Sequence, residues 1–132
     1  MERELSEMQE KVDCEASSVW LIEDDYLFPY IFFGDYSEGL ADVQLSLDEG
    51  IVGYCVTHNV EIISNDLKGD DRWHSLVDKK TGFKTRNIIC LPISMYGEVY
   101  GCIEMLNKIG GDFDENDLKV CREMIDLIKQ DL

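Results

Sequence analysis

The chain has 132 residues, 45% of them apolar, with a formal net charge of −16 from 28 acidic and 12 basic side chains. That length suits a single core, and the apolar fraction rules out a wholly disordered chain. The charge argues strongly against nucleic acid or an anionic membrane surface as the main partner, because long-range repulsion opposes both. No apolar run approaches the roughly 20 residues of a membrane helix. The start, Met1-Glu2-Arg3-Glu4, has neither the basic nor the apolar region of a secretory signal. A cytoplasmic location without direct membrane contact is expected.

Residues 1–13 are charged, with Leu5, Met8 and Val12 spaced three and four apart. This predicts a connecting helix with one narrow apolar stripe, too short to stand alone, that packs on a neighbour or on a second copy of itself. Ala16 to Ile22 and Tyr26 to Phe33 are β-rich runs joined by Glu23-Asp24-Asp25, which reads as a hairpin. Pro29 makes the second strand an edge or gives it a bulge. Gln44 to Leu47 is a short strand. Ile51 to Thr57 follows as a helix, with Asp48 as its candidate cap and His58-Asn59 as its stop.

Glu61 to Ser64 is another short strand. Residues 65–85 are polar, with a helical turn expected around Arg72 to Val77, and a segment of that length reads as a lid or binding loop. Asn87 to Met95 and Glu98 to Leu106 form a second hairpin on the tight-turn pair Tyr96-Gly97. Residues 114–131 predict the strongest helix. Asp114 caps it, and Leu118, Cys121, Met124, Ile125, Ile128 and Leu132 form one face. Strands joined by short turns, with helices at both ends, predict an α+β domain on an antiparallel sheet. The amphipathic terminal helices predict a homodimer.

Five cysteines stand at positions 14, 55, 90, 102 and 121, with no Cys-x-x-Cys pair. They read as reduced and buried, neither a disulfide framework nor a zinc site. His58 and His74 have no Cys or acidic residue at ligand spacing, so no metal and no cofactor is expected.

Three segments carry a family resemblance. The stretch from Thr81 through Gly82-Phe83-Lys84-Thr85-Arg86-Asn87 to Ile93 closely resembles GAF domains of cyclic-nucleotide phosphodiesterases and cyclases. Gly50-Ile51-Val52-Gly53 resembles the start of that family's pocket helix, and Val99 to Lys108 its last core strand. The resemblance spans roughly residues 14 to 130. It implies a GAF- or PAS-like central sheet of five to six strands, with residues 14–132 as the GAF domain. The family motif of Asn-Lys, a gap, Phe, three residues and Asp-Glu matches at Asn107, Lys108, Phe113 and Asp117, with Leu118 in place of Glu. It implies a structural bridge from Lys108 to Asp117.

The same resemblance implies a non-catalytic, ligand-sensing regulatory domain that binds a cyclic nucleotide, cGMP or cAMP. Carried over by position, Ser18 meets the base, and Ile51, Val52 and Gly53 offer helix N-terminal amides to the cyclic phosphate. Asp78, Thr81 and Thr85 contact base and sugar from the lid, and Glu104 sits at the pocket floor. Many nucleotide-binding relatives have Phe-Asp at the end of the second strand. Here Phe32 and Phe33 keep an aromatic stacker, while the acid is displaced to Asp35. Glu104 interrupts an apolar strand and needs a donor if it points inward. The ligand, Arg86 or Lys84 are the candidates. Two further readings remain: a dimerising interaction module with no ligand, and a thiol-dependent methionine sulfoxide reductase of the kind some GAF relatives are. No nucleophile–base–acid constellation is present in the chain, so no catalysis is expected.

Overall fold

Two tight hairpins organise the sheet, and both turns use left-handed backbone. Asp24 and Asp25 have φ of 51° and 66°, and Tyr96 and Gly97 have φ of 54° and 80°. Such turns match the right-handed twist of the strands they join. The computed structural model describes residues 1–35 and 39–132. In chain order it contains α1 (Glu2–Val12), β1 (Cys14–Glu23), β2 (Tyr26–Gly34), β3 (Leu45–Ser46) and α2 (Gly50–His58). These are followed by β4 (Ile62–Ser64), α3 (Leu76–Thr81), β5 (Ile88–Met95), β6 (Glu98–Lys108) and α4 (Glu115–Ile128). The strands form one antiparallel sheet in the order β3-β2-β1-β6-β5-β4. This is the α+β architecture the sequence implies.

Pro29 sits where the ladder is already broken. The β1–β2 register shifts between Val19, opposite Ile31, and Trp20, opposite Pro29, so Tyr30 bulges out. On the outer side β3 pairs only with Tyr26 and Leu27, so the missing N–H of Pro29 costs no bond there.

Alternation along the strands splits the core into two layers. On one face Val19, Ile89, Leu91, Ile103 and Met105 pack beneath α1 and α4. On the other, Trp20, Leu27, Cys90, Cys102 and Leu106 pack beneath α2 and the 65–85 segment. Leu5, Met8 and Val12 of α1 are fully buried in the first layer. The stripe expected to seek a partner is thus covered by α4 and the sheet of its own chain. Leu132 lies beyond α4 and is 45% exposed, outside the buried face.

Two local details differ from the sequence reading. Glu49, not Asp48, occupies the cap position of α2, and no side chain caps that helix. The reason is Ser46, whose hydroxyl donates to both Asp48 and Glu49 and so engages both carboxylates. The helical turn expected near 72–77 begins later, at Leu76. Asp70 accepts from the backbone N–H and the guanidinium of Arg72, and Trp73 N donates to Asp70 O. That turn holds 70–73 out of helix.

The end of β6 ties three elements together. Lys108 Nζ donates to Asp117 Oδ1 at 2.9 Å and also to the Val12 carbonyl at the end of α1. Asp117 in turn completes a reciprocal cap with Asp114 at the start of α4. Lys108→Ala leaves a buried carboxylate and a carbonyl without their cation. A loss of about 2 kcal/mol is expected in urea unfolding, larger than an exposed ion pair supplies.

Candidate functional site

Helix α2 starts close against the chain that precedes it, and glycine permits this. A Cβ on Gly53 would lie 2.8 Å from the Leu47 carbonyl, which already accepts from Thr57 Oγ1 at 2.6 Å. The start of α2 therefore lies over the sheet, with Ile51, Val52 and Gly53 buried. Gly50, Ile51 and Val52 border a cavity with Leu45, Ile88 and Glu104, roofed by Trp73, His74 and Val77. Its volume is about 30 Å³, room for about one water. Small-molecule sites commonly measure about 300–1,000 Å³.

The segment over this cavity is fastened at both ends. At its start Asp70 accepts from Ser64 Oγ at 2.6 Å and from the Arg72 guanidinium through two further bonds, and that guanidinium stacks over Tyr54 of α2, 5.2 Å from the ring centre. At its end Asn107 donates to Lys84 O at 2.8 Å and accepts from Arg86 N at 2.6 Å. Between these anchors Trp73, Leu76, Val77 and Phe83 are partly buried against the sheet.

Glu104 stands at the cavity floor, 6% exposed. Across the β1–β6 ladder it is opposite Ser18. Ser18 Oγ donates to its Oε1 at 3.2 Å, and Trp20 Nε1 donates to Ser18 Oγ at 2.7 Å and to the same Oε1 at 3.2 Å. The expected cationic donors are elsewhere, since Arg86 binds Glu15 and the Lys108 carbonyl. Burial with neutral partners pushes the Glu104 carboxyl up to about 7. The Trp20 and Ser18 bonds oppose that rise, and the charge of Asp78 adds to it.

The other candidate residues fall into separate groups. Asp78 and Thr85 bond each other, with Thr85 N at 2.8 Å and Thr85 Oγ1 at 2.6 Å from the Asp78 carboxylate. Thr81 Oγ1 donates to Val77 O and accepts from Phe83 N, closing the turn after α3. Phe32 packs on the cavity side of the sheet, whereas Phe33 packs on the α1–α4 side. Trp20, Trp73 and His74 join the site although the sequence reading left them out. Only Trp20 carried a signal, its two-residue spacing from Ser18, which puts both on one face of β1.

Near the cavity Cys55, Cys90 and Cys102 are fully buried. Cys90 pairs across the ladder with Glu104, and Cys102 with Pro92. Burial pushes the thiols of Cys90 and Cys102 well above their ordinary range.

A family model for the GAF domain matches residues 1–130. The chain belongs to the GAF domain family. This GAF domain is 31% identical over 120 residues to the probable 3',5'-cyclic phosphodiesterase pde-5 of Caenorhabditis elegans, covering 83% of the chain and 16% of that protein. It is 37% identical over 82 residues to the dual 3',5'-cyclic-AMP and -GMP phosphodiesterase 11A of Takifugu rubripes, covering 60% of the chain and 9% of the relative. The chain thus spans less than a fifth of either relative. Among solved structures, the type II free methionine-R-sulfoxide reductase from Thermoplasma acidophilum superposes with a TM-score of 0.80 at 19% identity, over 96% of this chain and 85% of that one. That likeness shows a shared fold. No helix among the described residues is long and apolar enough to cross a membrane.

Proposed function

We propose that this GAF domain is a non-catalytic, cytoplasmic sensor that takes a cyclic nucleotide between the sheet and the 65–85 lid. One observation carries the reading: a buried carboxyl, Glu104, faces a cavity under a lid whose polar groups bond one another. Such a carboxyl gains from any ligand that brings N–H donors. The amides at the start of α2, beside the same cavity, suit one negative phosphate in a chain that otherwise repels anions. Ligand entry displaces Trp73 and Val77 and opens the Asp78–Thr85 bonds, which frees Asp78, Thr81 and Thr85 to contact base and sugar. The cost of opening lowers the apparent affinity accordingly. The relatives named as cyclic phosphodiesterases support this class of ligand.

The signal runs to α1 and α4, whose contacts with the sheet lie directly behind the ligand-side strands. A homodimer would form through the charged outer faces of these helices, since their apolar stripes are covered. Thiol-dependent reduction is the weaker reading, because Cys55, Cys90 and Cys102 are all fully buried in the core, out of reach of a substrate. An interaction module with a permanently closed pocket has one observation in its favour, the cavity of about 30 Å³.

Thermal melts and calorimetry with cGMP and cAMP decide between sensor and interaction module. A sensor gains about 2.7 kcal/mol of stability at a ligand concentration 100 times Kd. A melting temperature that millimolar cGMP and cAMP both leave unmoved supports the closed module and overturns the sensor.

A further inference from the structure

Both donors to the Glu104 carboxyl are neutral groups. From β1 come the Trp20 and Ser18 donors, both on Oε1, while Oε2 takes part in neither bond. Cys90 of β5 lies across the ladder, and Cys102 lies two residues back along β6. Cys55 of α2 and Asp78 of α3 act on it electrostatically, and His74 shares the cavity wall. Among the described residues, no lysine or arginine borders this cavity. A carboxyl held this way stands close to balance between its acid and its carboxylate, and the ligand can tip it.

The two forms present different patterns to a purine. A carboxylate offers acceptors only, which complement the N1–H and N2–H donors of guanine. A carboxylic acid offers one O–H and one acceptor, which complement N1 and the N6 amino group of adenine. We propose that Glu104 reads the base through its own proton: guanine binding releases that proton to solvent, and adenine binding retains it between Glu104 and N1. This rests on the cyclic-nucleotide reading above. It adds that the two nucleotides bind with opposite dependence on pH, so that the preference of the domain changes with the acidity around it.

The test is calorimetric titration of the full chain with cGMP and with cAMP at pH 6, 7 and 8, each in two buffers of different ionisation enthalpy. With the carboxyl near 7, cGMP affinity is expected to rise about tenfold from pH 6 to pH 8, and cAMP affinity to fall about tenfold. The buffer comparison reads the proton released with cGMP directly, without any substitution. Glu104→Gln presents one acceptor and one amino donor at every pH. It should keep cAMP, lose cGMP by tenfold or more, and flatten both profiles, while His74→Gln keeps the slopes. Binding of both nucleotides with parallel or flat pH profiles overturns the proposal and leaves the sensor standing. Slopes that disappear in His74→Gln also overturn it, by moving the proton to that ring. Absence of binding at every pH overturns the cyclic-nucleotide reading itself, and this proposal with it.

Discussion

Gly101→Val is expected to yield no folded protein, and Gly101→Ala to lose at least about 4 kcal/mol, a size reserved for a few severe mechanisms. Gly101 lies in β6 between Leu21 of β1 and Ile93 of β5. A Cβ there would overlap the Trp20 carbonyl oxygen and lie 2.9 Å from its carbon and 3.0 Å from Leu21 Cα. These are backbone atoms of the central strand pair, so no side-chain rotation relieves the clash. Separating β1 from β6 uncouples the two hairpins and removes Trp20 from Glu104. Domains of this kind have about 5–15 kcal/mol of total stability, so alanine alone consumes much of it. Urea unfolding followed by circular dichroism is the measurement. A Gly101→Ala protein with the parental midpoint would refute the packing described for this ladder.

Glu104→Gln is expected to stabilise the domain at neutral pH and not at acid pH. The folded carboxyl is raised from 4.5 to about 7, so between those values the unfolded chain has released a proton that the folded chain keeps. The unfolded state binds fewer protons, and stability therefore falls as pH rises through that window, levelling off above about 7. The whole penalty is about 3 kcal/mol, of which about 2 kcal/mol develops between pH 5.5 and pH 7.5. The Cys55 thiol, brought down to about 5 by its bonds with Cys102 and Cys90, acts within that range but equally in parent and variant. The lowered acids Asp70 and Glu49 act below it. Asp70, held far down by Arg72, and Glu49, held down by Ser46, lose their contributions as pH falls through their folded values. Urea midpoints at pH 5.5 and 7.5 for parent and variant isolate Glu104. Equal slopes in the two proteins would show that this carboxyl is already ionised in the folded state.

Much of the architecture follows from local pattern. Two β-rich runs around Asp24-Asp25, two more around Tyr96-Gly97, and a capped periodic stretch after Asp114 require hairpins and a terminal helix wherever they pack. The Lys108–Asp117 bridge was implied by the resemblance to the GAF family motif at Asn107, Lys108, Phe113 and Asp117, and the structure forms it. Glu104 was legible as the carboxyl that breaks an apolar strand. Phe32 and Phe33 could even have been separated by alternation alone, because neighbours in a strand point to opposite faces.

What tertiary structure decided are the relations between distant segments. That Trp20 and Ser18, rather than Arg86 or Lys84, hold Glu104 depends on the β1–β6 register, which joins residues 84 and 86 positions apart. That α1 closes its stripe on α4 depends on both helices meeting over one sheet face. The size of the cavity depends on Trp73 and Val77 reaching across from a loop whose course is set by Asp70 and Asn107. Local propensity specifies elements because it acts within a few residues. Register, burial and enclosed volume are properties of surfaces brought together by folding, and these set the ionisation of Glu104.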